Sequence, residues 1–148
     1  MKHKKKLIGR IDKADFPELN LKNITVKVDT GAYTSSIHCE QIMEEKDHLT
    51  CLFLDNEHEI YHKKMFLFED YEQVSVRSSN GVMQKRFAIK STITLFDKTY
   101  KISLSLNDRS DMKNPVLLGR KFLSGKFIVD PQLENISFNA LKNTVDEH

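Results

Sequence analysis

Apolar and polar residues alternate along most of this chain, with the two-residue period of strands that turn one face to a core. Ile24-Thr25-Val26-Lys27-Val28, Val74-Ser75-Val76 and Phe127-Ile128-Val129 are short strand-like runs, and Leu49 to Leu54, Phe87 to Leu95 and Thr99 to Leu106 are longer ones rich in β-branched or aromatic residues. Phe96-Asp97-Lys98 separates the last two runs, which therefore predict a hairpin. Ser78-Ser79-Asn80-Gly81 predicts another turn, because Asn and Gly tolerate positive φ. Helical signals are few. Ser36 to Glu45 has the length and opening serine of a short helix, and Gly119 to Ser124 predicts a second one stopped by Gly125. Short connections between neighbouring strands predict an antiparallel sheet, closed into a barrel or folded as a sandwich.

A chain of 148 residues is the size of one domain and long enough to bury a core without disulfides or a structural metal. No internal repeat, low-complexity stretch or linker divides it, so residues 1–148 are expected to form one domain, with a basic tail at 1–6 and a polar tail at 139–148, both loose. No apolar run approaches the roughly 18 residues that cross a bilayer, and Met1-Lys2-His3-Lys4-Lys5-Lys6 has no apolar stretch behind it. The expectation is a cytoplasmic protein without a membrane partner. A formal charge of +2 is too small to argue for nucleic acid as a partner. Cys39 and Cys51 lack the spacing of a disulfide framework or a C-x-x-C site and read as reduced, partly buried thiols.

One local feature carries chemistry. The strand Val26-Lys27-Val28 runs directly into Asp29-Thr30-Gly31-Ala32-Tyr33-Thr34-Ser35, which delivers a carboxylate at a strand end. Aspartic peptidases use that arrangement: glycine permits a tight turn, threonine can hydrogen-bond to a partner loop, and two such loops bring two carboxylates together. A pair so placed shares a proton, so that one member acts as base toward a water while the other polarises the scissile carbonyl. Neither a metal nor another cofactor is required. Taken alone, the tripeptide reads better as an ordinary turn after a strand than as a catalytic loop.

The motifs around it form a pattern. Ile8-Gly9-Arg10, Asp29 to Ser35, Val76-Arg77-Ser78-Ser79-Asn80-Gly81, Lys85-Arg86-Phe87, Leu106-Asn107-Asp108-Arg109, Asp111-Met112-Lys113-Asn114-Pro115, Val116-Leu117-Leu118-Gly119-Arg120 and Phe127-Ile128-Val129-Asp130-Pro131 follow one another in order. Together they resemble a bacterial family labelled ATP-dependent zinc proteases, over roughly Leu7 to Phe138. The resemblance implies a mainly β, retropepsin-like (acid protease) closed barrel with one or two short helices. It implies Asp29 as the catalytic carboxylate, Thr30, Gly31 and Ala32 as its supporting loop, and Gly119 and Arg120 as motif support. It also implies an association with ATP-grasp ligases that add glutamate tails to proteins, and hence a protein or peptide substrate that includes glutamylated ones. The hairpin at Ser78, Ser79, Asn80 and Gly81 would be the flap that closes over substrate. With one Asp-Thr-Gly segment, the mechanism needs a homodimer in which each chain contributes its Asp29.

The sequence departs from that pattern in places. Retropepsin flaps are richer in glycine than Arg77 to Lys85, which contains only Gly81. Retropepsins carry an acid two positions after the Asp-Thr-Gly glycine to pair with the Gly-Arg arginine; that place is Tyr33, which leaves Asp12 or Asp130 as partners for Arg120. Residues Glu40 to Tyr71 exceed a minimal retropepsin and predict an added hairpin or rim. A non-catalytic retropepsin-like module that binds a ligase or a glutamylated protein is the alternative from a different class.

His58-Glu59-Ile60-Tyr61-His62 spells a zincin motif, in which two histidines hold zinc and the glutamate activates its water. It works only on a helix; in a strand the histidines lie about 13 Å apart. Cys51-Leu52-Phe53-Leu54 turning at Asp55-Asn56 favours a hairpin, and nothing fixes Glu69 or Glu72 as a third ligand, so a zinc peptidase is the lesser alternative and no metal is expected. His38-Cys39 is a poor nucleophilic pair, because adjacent residues rarely meet in the required geometry.

Overall fold

The computed structural model describes residues 4–54, 64–77, 80–108 and 113–146. His58, Glu59 and His62, the flap residues Ser78 and Ser79, and Arg109, Asp111 and Met112 lie outside the described residues. The strands are β1 (Lys6–Ile8), β2 (Ile11–Phe16), β3 (Leu21–Val28), β4 (Ser35–Glu45), β5 (His48–Phe53), β6 (Met65–Phe68), β7 (Glu72–Arg77), β8 (Met83–Leu95), β9 (Lys98–Asn107), β10 (Val116–Leu118) and β11 (Phe127–Val129); the helices are α1 (Arg120–Leu123) and α2 (Ile136–Asp146).

Six strands close into a barrel in the order β10-β3-β2-β8-β9-β4, with β10 pairing back onto β4. Closure leaves these strands no free edge. The alternation read from sequence is the alternation of the wall: Ile24, Val26 and Val28 of β3, Ile89 and Ile93 of β8, Leu104 and Leu106 of β9, and Val116 and Leu118 of β10 are buried. Two further strands, β1 and β11, pair in parallel beside the barrel. No described helix is long and apolar enough to cross a membrane.

Segment 36–45, expected to be helical, is strand β4. Ser35, Ile37 and Cys39 alternate inward, and three neighbours offer backbone partners: β9 in parallel, β10 and β5 antiparallel. A register shift between Glu40 and Met43, with Gln41 at φ 54°, bends β4 out of the barrel. Its outer half then pairs with β5, and β5 with β6, so the described residues of the Glu40–Tyr71 stretch build a three-stranded extension. Phe53 holds it together, with the rings of Phe66 and Phe68 at 5.2 and 6.0 Å in edge-to-face contact.

The hairpin of β8 and β9 turns through Phe96 and Asp97, both at positive φ (54° and 59°), between the paired Leu95 and Lys98. That is the twist a two-residue loop requires. A phenylalanine is tolerated there because its ring packs beside Phe127 at 6.2 Å and its N–H donates to Ser137 Oγ at 2.8 Å.

Residues 139–146 of the expected loose tail are instead part of α2. Asp12, buried on β2, caps this helix from across the fold: its carboxylate accepts the N–H groups of Ser137 at 2.9 Å and Phe138 at 3.1 Å, and that of Lys13 at 2.8 Å. Lys6, placed in the basic tail, is in β1. Asp12→Ala leaves buried donors without an acceptor and is expected to cost about 3 kcal/mol, read as a shift in urea midpoint by far-UV circular dichroism. Asp12→Asn keeps one acceptor oxygen and should lose about half as much.

Candidate active site

Strand β10 lies between the two strands that flank the Asp29 loop. It runs parallel to β3, with Val26, Lys27 and Val28 opposite Val116, Leu117 and Leu118, and antiparallel to β4. Asp29 N–H donates to Leu118 O at 2.9 Å, so the carboxylate emerges where β3 and β10 end together. The turn that follows is narrow. Ala32 N–H donates to Asp29 O at 3.2 Å, and Gly31 N–H donates to the Asp29 carboxylate oxygen Oδ1 at 3.0 Å. The Asp29 side chain is half-buried, and Thr30 and Gly31 are exposed.

The Gly-Arg motif holds the loop from the other side. Two N–H groups at the start of α1 find acceptors in the loop: Arg120 N–H donates to Ala32 O at 2.8 Å and Lys121 N–H to Tyr33 O at 2.9 Å. Gly119 N–H donates to the buried Ser35 Oγ at 3.0 Å. A β-carbon on Gly119 would stand 2.5 Å from Thr34 O and 2.6 Å from Tyr33 O, so only glycine lets the two segments approach this closely. The structure thus brings Asp29, Thr30, Gly31, Ala32, Gly119 and Arg120 to one place.

Arg120 does not pair with Asp12 or Asp130. Asp12 caps α2, and Asp130 Oδ1 accepts Gln132 N–H at 3.0 Å. The guanidinium instead donates from Nη1 to Thr30 O at 3.0 Å and lies 5.8 Å from the centre of the Tyr33 ring. Tyr33 therefore meets the arginine through its ring, in the position where an acid was missed. Arg120→Met is expected to cost about 1 kcal/mol, because the pair is exposed, and to loosen the Thr30 carbonyl; lysine should restore little, since a point charge cannot both stack and donate sideways. Chemical denaturation of the three proteins measures it.

The hairpin of β7 and β8 pairs Glu72 with Ala88 through Arg77 with Met83, and Gly81 takes φ 83° at its turn. A cleft of about 720 Å³ is lined by Val74 and Arg86 of this hairpin, by Lys90 and Lys101 on β8 and β9, and by Thr34 and Lys121 beside the Asp29 loop. Lys126 adds a fifth cation against two carboxylates, Glu18 and Glu72, so the cleft favours an anionic occupant. Asp29 itself is not on its wall; Thr34 and Ser35 of its loop are. Sequence reading quoted Arg86 in a motif but gave none of these cations, scattered from 86 to 126, a binding role.

Cys39 and Cys51 are buried free thiols. A hydrogen bond with Cys51, together with burial, pushes the Cys39 thiol up, so it offers no thiolate beside His38. Among the described residues no three His, Cys, Asp or Glu side chains gather around a possible metal position.

A family model described as RimB-like, retropepsin-like aspartic endopeptidase RimB, matches residues 7–139. Probable alpha-L-glutamate ligases of Shewanella halifaxensis and Shewanella pealeana are each 33% identical to this chain over 135 residues. That alignment covers 88% of this chain and 30% of theirs, so the chain spans about 30% of the length of these relatives. A probable alpha-L-glutamate ligase of Desulfotalea psychrophila is 30% identical over 138 residues. The crystal structure of a Legionella pneumophila protein of unknown function superposes with a TM-score of 0.68 at 26% identity, covering 90% of this chain and 99% of that one.

Proposed function

Because this chain belongs to the RimB-like family of retropepsin-like aspartic endopeptidases, we propose that it hydrolyses amide bonds with a water activated between two Asp29 carboxylates, one from each chain of a homodimer. The observation that carries this reading is the mounting of Asp29: a carboxylate at the end of paired parallel strands, oriented by Gly31 N–H and backed by the Gly119-Arg120 turn. One such carboxylate per chain requires a second copy to complete the pair. The two then share a proton; one takes a proton from water as it attacks, and the other donates to the carbonyl oxygen.

The substrate class proposed is a carboxylate-rich peptide, including glutamylated protein tails. Five cations in the cleft support it, as does the similarity to proteins named as glutamate ligases. An ATP-grasp ligase as working partner and a cytoplasmic location belong to the same proposal. A second reading, a binding module without catalysis, is favoured by the single glycine in the hairpin 77–85. Incubation with oligoglutamate-bearing peptides, followed by mass spectrometry, separates the two. Products that persist with a chelator present support the aspartic mechanism, whereas binding with no product after long incubation rejects it in favour of the module. Activity that a chelator abolishes and zinc restores rejects both.

A further inference from the structure

We infer that Tyr33, held against Arg120, is the anchor through which a second copy of this chain docks beside Asp29. This rests on the homodimeric reading above and adds the contact that holds the dimer. A second Asp29 can reach the first only if the other copy covers the loop that carries it. The exposed surface there comprises Thr30, Gly31, Tyr33, Thr34 and Arg120. Tyr33 is its one large apolar group, and at 58% it is the most exposed large hydrophobic side chain among the described residues.

The backbone that carries the ring is held, and the ring has an arginine beside it. Tyr33 O accepts Lys121 N–H, the preceding Ala32 O accepts Arg120 N–H, and the Arg120 guanidinium is fixed by Thr30 O while lying 5.8 Å from the ring centre. An exposed aromatic held in place by an arginine loses little entropy on association, and Tyr and Arg are the side chains on which interface energy concentrates. Tyr33, like Asp29, lies off the wall of the cationic cleft, which Thr34 and Ser35 line. Two-fold symmetry places both copies of the ring in the same interface.

Equilibrium sedimentation of the full chain tests this with wild type, Tyr33→Ser, Tyr33→Phe and Leu67→Glu; Leu67 lies on another exposed apolar row, beside Thr50 and Met43. Wild type is expected to dimerise. Tyr33→Ser should weaken the dimer about 100-fold, because two rings are lost, while Tyr33→Phe should stay within about tenfold of wild type. Leu67→Glu should associate as wild type does. A folded Tyr33→Ser chain that dimerises normally, or a dimer lost through Leu67→Glu instead, overturns the inference. Hydroxyl-radical footprinting of wild type across a concentration series needs no variant: Tyr33 becomes protected as the dimer forms, and a dimer with Tyr33 still labelled sinks the inference alone. A strictly monomeric wild type that cleaves acidic peptides sinks the paired-Asp29 reading as well.

Discussion

Asp29→Asn is expected to lower turnover of an acidic peptide about 10³-fold or more while leaving the fold intact. The amide has the size of the carboxylate, and its oxygen can still accept the Gly31 N–H that now donates to Asp29 Oδ1 at 3.0 Å. It cannot take a proton from water. Far-UV circular dichroism and the urea midpoint should therefore match wild type while hydrolysis disappears. Mixing carries more information. If each site takes one Asp29 from each chain, equal amounts of wild type and variant, allowed to exchange, leave about one quarter of the dimers with both carboxylates. Activity should then fall to about a quarter of the value for wild type at the same total concentration. A fall to one half would mean that each chain works alone, and an unchanged rate in the pure variant would remove Asp29 from the mechanism.

Gly119→Ala is the second large effect, and it acts through backbone rather than chemistry. Its β-carbon would press into the carbonyl oxygens of Thr34 and Tyr33 at 2.5 and 2.6 Å, and neither can swing away as a side chain does. Relief requires α1 and the Asp29 loop to separate, which breaks the bonds from Arg120 N–H to Ala32 O, from Lys121 N–H to Tyr33 O and from Gly119 N–H to Ser35 Oγ. The expected cost is about 3 kcal/mol in a urea titration, with activity lost beyond what the folded fraction explains. Gly31→Ala is the milder comparison, because its β-carbon would meet only the Asp29 carboxylate oxygen, at 3.3 Å. If Gly119→Ala folds with wild-type stability, the close approach of the two segments is not what holds the site.

Gly119 also explains why some of the site could be read in advance. Asp29-Thr30-Gly31 and Gly119-Arg120 stand in an order that points to one architecture, and glycine is needed where backbones nearly touch. The partner of Arg120 was misassigned for a related reason. Pairing by charge suggests a carboxylate, whereas the loop turns a carbonyl and an aromatic ring toward the guanidinium. The helix expected at 36–45 failed similarly: a serine followed by mixed residues satisfies local capping rules, but three neighbouring strands supply the backbone bonds that make it β4.

What the sequence determined by itself is local. The two-residue period marks β3, β5, β7, β8, β9 and β11, the turn residues mark the hairpins, and Asp29-Thr30-Gly31 puts a carboxylate at a strand end. Tertiary structure alone decided the rest: β10 inserted between β3 and β4, Asp12 capping a helix 125 residues away, Tyr33 beneath Arg120, and five cations gathered in one cleft. Each of these depends on groups far apart in the chain whose meeting is set by barrel closure. Periodicity reports which face of a strand is buried, and it carries no information about which distant strand completes the wall.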